Sequence, residues 1–425
     1  MRLLRLGSTG PGVELLQLAL NRAGFGELAT DGIFGPLTER ALRRFQSAQN
    51  ILSDGIAGRD THRRLLPWYT GSLHYKIQKG DTFSALAERY GTTVDAIILA
   101  NPDAQPENLQ IGETITIPLP FPVVPTDIDY SAALVEFCVR GLKARYPFIE
   151  TGEIGQSVMG KPIWYLTLGN GKNRVIYNAE HHANEWITTP LLLKFAEELA
   201  AASVSGDKIF DQSAAELLDY ATLTLVPAVN PDGLDLATGE LQQGEFYRGA
   251  MNIADDWEQI PFPAGWKANI RGTDLNLQYP AGWNEAKEIK YAQGVRGPAP
   301  QDYVGIAPLS APESRAMYDY TLASSPRLTI SYHTQGEEIY WRYGECEPEG
   351  ARKIGELFAK LSGYKLTDPA MESANAGYKD WFIDSFERPG FTIEAGKGTN
   401  PLPLSDFDEL YRKNLPILTY GALVT

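Results

Sequence analysis

A proline-rich run divides the chain into unequal parts. Prolines occupy positions 118, 120, 122 and 125, and such a run favours an extended, semi-rigid conformation. It therefore predicts a domain boundary near residue 125, and we assign residues 119–127 to a linker. The chain has 425 residues, which is long enough for several domains.

Charge is distributed unevenly among these parts. Residues 1–70 carry nine Lys and Arg against six Asp and Glu, and residues 71–118 carry three against six. The net charge of −15 therefore belongs to the residues after 118. Because an acidic surface repels phosphates, we expect no nucleic-acid partner. We also expect no membrane span, since no apolar run approaches about 18 residues, and two cysteines exclude a disulfide framework.

The first 70 residues contain an internal repeat. DGIFG at 31–35 recurs as DGIAG at 54–58, and a threonine follows each copy, at 38 and 61. Asp-Gly favours a turn, and each threonine is a candidate cap for the helix that follows. Apolar residues at helical spacing complete the pattern of a small three-helix bundle. The segment resembles the peptidoglycan-binding domain that is attached to many bacterial cell-wall hydrolases.

Residues 74–118 have a different pattern. An alternating segment begins at Tyr75, a Lys-Gly-Asp-Thr turn follows, and Thr82 is placed to cap a helix. A second helix ends at Asn101-Pro102, and residues 113–117 alternate again. This βααβ order, with GDT and ANP at its turns, resembles the LysM domain. The resemblance implies binding to the N-acetylglucosamine-containing glycan of peptidoglycan or chitin.

The residues from 128 to 425 alternate between helical and strand patterns. The predicted helices cover 132–143, 188–201 and 351–361, and the predicted strands cover 163–168, 175–178, 222–226, 328–332 and 390–393. We therefore predict an α/β domain with a mixed central sheet that is covered by helices. The whole chain is predicted to be multidomain: a small helical bundle, a βααβ module and this α/β domain.

Three of the five histidines lie in this last domain, at 181, 182 and 333. His182 and Glu185 are three residues apart, so both side chains can face one cation on a short turn. With His333 they form a ligand set that suits catalytic zinc. Glu394 ends the apolar strand GFTIE and is a candidate general base. Spacing alone leaves other interpretations open: a solvated loop near 182, a structural His333 and a capping Glu394.

The motifs around these residues resemble the zinc carboxypeptidase family over about residues 128–425. HANEW at 182–186 matches its HxxE motif, and NPDG at 230–233 and RGTDLN at 271–276 follow in the family's order. The resemblance implies a metallopeptidase with one zinc ion, with the ligands His182, Glu185 and His333 and with Glu394 as the acid and base. It also implies that Asp274 hydrogen-bonds the first zinc histidine and fixes its tautomer.

Other positions depart from that family's pattern. Digestive-type members carry an Asn-Arg pair that grips the free C-terminal carboxylate of the substrate, and this chain has Asn276 and Leu277 there. A leucine cannot make the charge-assisted contact of an arginine, which disfavours a general C-terminal exopeptidase. The family's transition-state arginine falls on Lys267, and Arg271 is a competing candidate for the cation that stabilises the oxyanion.

The substrate pocket departs as well. The family's mobile tyrosine falls on Glu372, and the position at the bottom of the pocket falls on Lys379. Together with Asn276, these are our candidate substrate-binding residues. A carboxylate and an ammonium can pair with a zwitterionic diamino acid side chain, and a solvated pair on a loop is the alternative interpretation.

The combination of modules resembles a group of cell-wall endopeptidases of spore-forming bacteria, as does EAGKGTNPLPLSDF at 394–407. The resemblance implies zinc-dependent cleavage of the bond between γ-D-glutamate and meso-diaminopimelate or L-lysine in peptidoglycan stem peptides. Three alternatives stay open: a carboxypeptidase of relaxed specificity, a wall-binding protein with an inactive peptidase domain, and an amidase that cuts the sugar-to-peptide bond.

The first sixteen residues contain no apolar run of secretory length. Together with the resemblance, this leads us to expect the protein in the cytoplasm of the sporulating cell or associated with the spore or cell wall. Peptidoglycan, through its glycan strands and stem peptides, is the expected partner. The oligomeric state has no marker in the sequence. His62 and His74 lie in the first two segments, and we expect both on the surface.

Overall fold

The structure is a computed structural model that describes residues 1–368 and 375–424. It has two compact units. The first comprises Met1–Asp129 and Ala133–Glu150, and the second comprises Tyr130–Ala132 and Thr151–Thr425. No helix among the described residues is both long and apolar enough to cross a bilayer.

The first unit begins with the predicted helical bundle. Its helices are α1 (Pro11–Arg22), α2 (Pro36–Ala48) and α3 (Arg59–Thr70). The core between them contains Leu16, Leu42, Phe45 and Leu65, each of which is fully buried. The expected threonine caps are wrong, because Gly35 and Gly58 precede the second and third helices and no side chain caps either one.

A buried glutamine holds each of the two repeated turns. Gln17 Nε2 donates to Asp31, to the Ile33 carbonyl and to Thr38 Oγ1, and its Oε1 accepts from the Gly32 N–H. Gln46 makes the same four contacts, one repeat later, with Asp54, Gly55, Ile56 and Thr61. The threonines therefore bind a glutamine amide inside the bundle instead of capping a helix.

We expect Gln46→Leu to destabilise this bundle by roughly 2–4 kcal/mol, because it leaves buried donors and acceptors of the second turn without partners. Gln17→Leu is expected to have a similar effect through the first turn. Hydrogen exchange of the amides in residues 1–70 measures the local unfolding free energy in the full chain. The control is Gln105→Leu, because Gln105 is exposed. An equal loss of protection of the amides in residues 1–70 of this control variant would contradict the account.

The predicted βααβ module follows. Strands β1 (Ser72–Lys76) and β2 (Thr114–Pro118) pair antiparallel. Helices α4 (Phe83–Tyr90) and α5 (Val94–Ala100) lie between them in the chain. Thr82 caps the first of these helices as predicted, since its Oγ1 accepts from the Ala85 N–H at 3.1 Å. His74 is exposed as expected. His62 is not: it is buried in the preceding bundle, where Nδ1 lies 2.9 Å from the Tyr69 hydroxyl.

The proline-rich segment packs within the first unit. Val123 and Val124 are 0% and 4% exposed, and Arg145 donates to the carbonyls of Leu119 and Phe121. Arg145 ends helix α6 (Ala132–Arg145), most of which belongs to the first unit although we assigned residues from 128 onward to the peptidase domain. The four predicted ranges, 1–70, 74–118, 119–127 and 128–425, follow sequence patterns, which compact units need not follow, and they stay predictions.

The second unit contains the predicted sheet and its helices. The strands are β3 (Glu150–Gln156), β4 (Pro162–Leu168), β5 (Asn173–Ala179), β6 (Lys208–Ile209), β7 (Gln212–Ser213), β8 (Ala221–Val226), β9 (Leu328–His333), β10 (Glu338–Tyr340), β11 (Lys365–Thr367) and β12 (Gly390–Glu394). The helices are α7 (Thr188–Ser205), α8 (Ala214–Tyr220), α9 (Pro231–Ala237), α10 (Glu245–Ala254), α11 (Trp283–Ala292), α12 (Pro312–Ser324), α13 (Ala351–Ser362), α14 (Tyr378–Phe386) and α15 (Phe407–Gly421).

The main sheet of this unit is mixed. Among the described residues it has eight strands in the order β11-β10-β12-β9-β5-β8-β4-β3. The central strands β12, β9, β5 and β8 run parallel to one another, whereas β10 and β4 pair antiparallel to their neighbours β12 and β8. Their apolar residues are almost all buried, as expected for strands that helices cover on both faces.

Strand register determines which polar side chains meet at the edge of this sheet. Glu394 is the register partner of His333, at the carboxyl ends of parallel strands β12 and β9. Ala179 ends the neighbouring β5, and the chain then turns into the segment that contains His182. Since ligand sites of open α/β sheets form beyond the carboxyl ends of strands, this edge is where the predicted metal residues belong.

Candidate metal centre and active site

A single turn after β5 positions two of the predicted zinc ligands. Residues Ala183–Glu185 form one turn of 3₁₀ helix, which brings the side chains of His182 and Glu185 to the same side. His182 Nδ1 lies 3.0 Å from Glu185 Oε1. From the end of β9, His333 Nδ1 lies 2.9 Å from Glu185 Oε2 and 3.1 Å from His182 Nδ1. All three residues are buried.

These three side chains fit one zinc ion. Their ligand atoms lie within 4.8 Å of one another. Two imidazole nitrogens that face each other at 3.1 Å share at most one proton between them. A divalent cation, in contrast, takes a lone pair from both nitrogens and from the carboxylate. Two nitrogens and one carboxylate are a donor set that zinc prefers, with room left for water or substrate.

Asp274 holds the first of these histidines from behind. Its Oδ1 lies 3.1 Å from His182 Nε2, the nitrogen that faces away from Glu185. The backbone N–H groups of Asn276 and Asp302 donate to the same carboxylate. An aspartate that is fixed in this way sets the tautomer of His182 and leaves Nδ1 free to bind a metal.

Opposite charges shift the pKa values of Glu185 and His182 against the effect of burial. Burial would raise the pKa of Glu185, but His182, Lys267 and His333 hold it well below its usual range. Burial would lower the pKa of His182, but Glu185 and Asp274 raise it to about 9. The negative charge that raises the pKa of His182 is the same charge that attracts a cation to this site.

The structure separates the two candidate cations. Lys267 Nζ lies 3.4 Å from Glu185 Oε1, and its backbone carbonyl accepts from the Ala183 N–H, so it faces the ligands. Glu185 also keeps the pKa of Lys267 above its usual value, against the effect of burial. Arg271 is exposed and lines a different cavity. Of these two candidates, Lys267 is therefore the one that lies at the metal centre.

Glu394 lies on the opposite side of His333 from the histidine turn. It is partly buried, and its register partners are His333 on β9 and Glu338 on β10. Loss of surrounding water, and then the charge of Glu185, raise the pKa of Glu394 to about 8. A carboxylate of raised basicity beside a metal site is suited to accept and return a proton, and the charge of a bound metal lowers its pKa again.

The three predicted substrate-binding residues differ in what the structure shows of them. Asn276 Oδ1 accepts from the Tyr378 N–H at 3.0 Å. Lys379 is buried on α14, where its ammonium contacts Asp380 Oδ1 at 2.5 Å and the Arg342 carbonyl at 2.7 Å. Its alternative interpretation as a solvated loop residue is therefore wrong. Glu372 lies outside the described residues. The substrate-binding roles of all three stay predictions.

Comparison with known proteins identifies the family. The family model described as zinc carboxypeptidase matches residues 135–416. The chain belongs to the zinc carboxypeptidase family. Two further family models match residues of this zinc peptidase that precede its peptidase domain. They are a peptidoglycan binding domain over residues 9–65 and a LysM domain over residues 75–118. The predicted identity of all three modules is thus confirmed.

Two relatives resemble this zinc peptidase over most of its length. Gamma-D-glutamyl-L-diamino acid endopeptidase 1 of Lysinibacillus sphaericus is 42% identical over 295 residues, which are 69% of this chain and 72% of that protein. A protein of Bacillus subtilis (strain 168) with the name YqgT is 39% identical over 295 residues, 68% and 76% of the two chains. Bovine thrombin-activatable fibrinolysis inhibitor shares the fold, with a TM-score of 0.53, 19% identity and coverage of 69% and 96%.

Two residues that the sequence did not reveal support the ligand carboxylate of this zinc peptidase. The Thr334 N–H donates to Glu185 Oε2 at 3.2 Å, and Asn400 Nδ2 lies 3.5 Å from Glu185 Oε1. Asn400 also exchanges hydrogen bonds with Thr334, at 2.9 Å to its carbonyl and 2.7 Å from its hydroxyl. The available signal for Asn400 was its place in the segment 394–407, which resembled one group of endopeptidases in particular.

Proposed function

We propose that this zinc peptidase hydrolyses the bond between γ-D-glutamate and a diamino acid in peptidoglycan stem peptides. The relative of 42% identity is named for that activity. The peptidoglycan binding and LysM matches support the same class of substrate, because two wall-binding modules raise the concentration of the peptidase at an insoluble polymer. We also propose that it works at the cell or spore wall; its cellular compartment otherwise stays a prediction.

The observation that carries this proposal is the environment of Leu277. Carboxypeptidases of the family use an arginine at this position to hold the C-terminal carboxylate of the substrate. Leu277 is 9% exposed and packs with Trp283, Ala286 and Val304 in an apolar cluster. The described side chains of this cluster offer a free carboxylate no partner, and its desolvation would be costly. This environment therefore favours a substrate whose chain continues beyond the cleaved bond or whose charges lie elsewhere.

The chemistry follows from the placement of the side chains. His182, Glu185 and His333 would hold the zinc ion, which would supply a Lewis acid that polarises a carbonyl and makes water more acidic. Glu394 takes the proton of the attacking water and returns it to the leaving amine. The Lys267 ammonium, partly buried beside Glu185, is placed to face the negative charge that develops on the carbonyl oxygen. Asp274 keeps His182 in the tautomer that this arrangement needs.

We expect Lys267→Met to lower kcat roughly 10²–10³-fold, because it removes a positive charge near the developing oxyanion. Bound zinc, measured by atomic absorption, should stay at one ion per chain, since Lys267 is not a ligand. Lys267→Arg keeps the charge and should recover much of the loss. A variant Lys267→Met with unchanged kcat would remove Lys267 from the mechanism.

Product analysis tests the proposal. The purified full chain is incubated with L-Ala-γ-D-Glu-meso-diaminopimelyl-D-Ala and with its L-lysine counterpart, with and without a chelator. We expect L-Ala-D-Glu and a diamino acid–D-Ala dipeptide, and no cleavage with the chelator. Release of free D-Ala would instead show a carboxypeptidase of relaxed specificity. On intact peptidoglycan, the appearance of free lactyl carboxyls would show an amidase.

A further inference from the structure

A cavity of about 530 Å³ in the second unit lies beside Asp274, the residue that supports the first zinc histidine. Its side chains are apolar apart from a few groups, and those that matter here are Phe246, Ile253, Ile270, Arg271, Tyr303 and Ile306. Thr273 of the cavity precedes Asp274, which contacts His182. The Tyr303 carbonyl accepts from the Asp274 N–H at 2.9 Å. The cavity and the metal site are thus built on the same two backbone segments.

A tight turn carries Arg271 into this cavity. Buried Asn269 organises the turn: its Oδ1 accepts from the N–H groups of Arg271 and Thr273, and its amide donates to buried Glu313. Gly272 has φ of +75°, and a Cβ there would lie 2.9 Å from the Ala299 nitrogen. The backbone that presents Arg271 is therefore fixed before a ligand arrives, which lowers the entropic cost of binding.

The guanidinium of Arg271 has no ion-pair or hydrogen-bond partner among the residues that the structure describes. One carboxylate, that of exposed Glu245, also lines the cavity, but it forms no ion pair with Arg271. Lys267, four residues earlier in the chain, instead forms an ion pair with Glu185. An unpaired guanidinium at the edge of an apolar cavity is suited to a planar anion such as a carboxylate.

We propose that this cavity binds the L-alanyl-γ-D-glutamyl part of the substrate, with Arg271 holding the free α-carboxylate of D-glutamate. The inference rests on the proposed function. A γ-linked glutamate keeps its α-carboxylate free on the acyl side of the cleaved bond, and an α-linked glutamate does not. Arg271 thereby distinguishes the γ-linkage, and the apolar wall contacts the alanyl methyl group. Arg271 is a specificity residue and Lys267 is the cation at the reacting carbonyl.

A matched pair of substrates tests the inference. One is L-Ala-γ-D-Glu-meso-diaminopimelate, and the other carries an α-carboxamide on its glutamate in place of the carboxylate. For the wild type we expect kcat/KM to be about ten- to a hundredfold higher for the carboxylate substrate than for the carboxamide substrate. The difference should lie mainly in KM, because the carboxamide loses a charge-assisted hydrogen bond to Arg271. Arg271→Gln should bring this ratio close to one, and Arg271→Lys should retain part of it.

The control variant is Arg248→Gln, since Arg248 is exposed on α10 and does not line the cavity. It should keep the wild-type ratio. Calorimetry with the product L-Ala-D-Glu provides a readout besides turnover, and Arg271→Gln should weaken that binding by a similar factor. Cleavage of both substrates at equal rates by the wild type, or an unchanged ratio in Arg271→Gln, overturns the inference and leaves the proposed function standing. Cleavage of neither substrate overturns the proposed function.

Discussion

Replacing Glu394 by glutamine is expected to lower kcat roughly 10²–10⁴-fold, with little change in KM, because the amide cannot accept a proton from water. Glutamine has almost the same shape, and the strand pairing of β12 with β9 and β10 uses only backbone groups. The loss should therefore be one of chemistry and not of folding. Hydrolysis of the stem tetrapeptide under substrate saturation measures kcat directly.

Two controls separate this effect from damage to the site. Bound zinc should stay at one ion per chain, since Glu394 is not among the three ligands, and the thermal midpoint should not fall. Glu338→Gln is the matched variant, because Glu338 is the register partner of Glu394 on β10 and bonds the Tyr340 hydroxyl. It should keep most of the activity. Full activity in Glu394→Gln would mean that another group acts as the base.

The metal centre could be predicted because each of its parts has a local signal in the sequence. His182 and Glu185 share one turn, so their spacing alone brings them together. His333 and Glu394 each end an apolar strand, where a charged residue has no reason to lie unless a site is near. Parallel pairing of those two strands in register then places both residues side by side. Spacing alone did not show whether these residues form one site, and the register of the sheet answers that question.

Features that depend on long-range contacts could not be predicted. The threonines of the repeated turns fitted a capping position, but Gln17 and Gln46 reach them from the preceding helices. His62 lay in a charged stretch of sequence, and it is buried because Tyr69 and the Arg2 carbonyl satisfy its two nitrogens. A polar residue becomes a core residue only when the fold supplies its partners.

The positions of the Lys267 and Arg271 side chains could not be predicted from the sequence either. Lys267 and Arg271 are four residues apart, and both fitted the role of the oxyanion cation. The placement of each depends on its backbone partners. The Lys267 N–H donates to the Pro300 carbonyl and its carbonyl accepts from the Ala183 N–H, whereas the Arg271 N–H donates to Asn269 Oδ1 and its side chain lines the neighbouring cavity. The two cations therefore serve different cavities, which is the basis for giving them different roles.

Replacing the ligand Glu185 by glutamine is expected to remove both zinc and activity. The amide is a weak metal ligand, and the substitution leaves Lys267 and two histidines around a site without its negative charge. We expect bound zinc to fall from one ion per chain to nearly none, and hydrolysis to fall by at least the factor expected for Glu394→Gln. Asp274→Asn should act more mildly, with zinc affinity lowered about 10–100-fold, because it loosens His182 without removing a ligand.

A nearby glutamate provides the control for this prediction. Glu180 is fully buried five residues earlier, and burial raises its pKa well above the usual range, which favours the neutral acid. Glu180→Gln therefore changes little in charge or shape, and it should keep one zinc ion and full activity. If Glu185→Gln kept its zinc while Glu180→Gln lost it, the ligand set would be wrong. If both kept it, the chain would bind its metal elsewhere, and the role of Glu394 beside His333 would lose its basis.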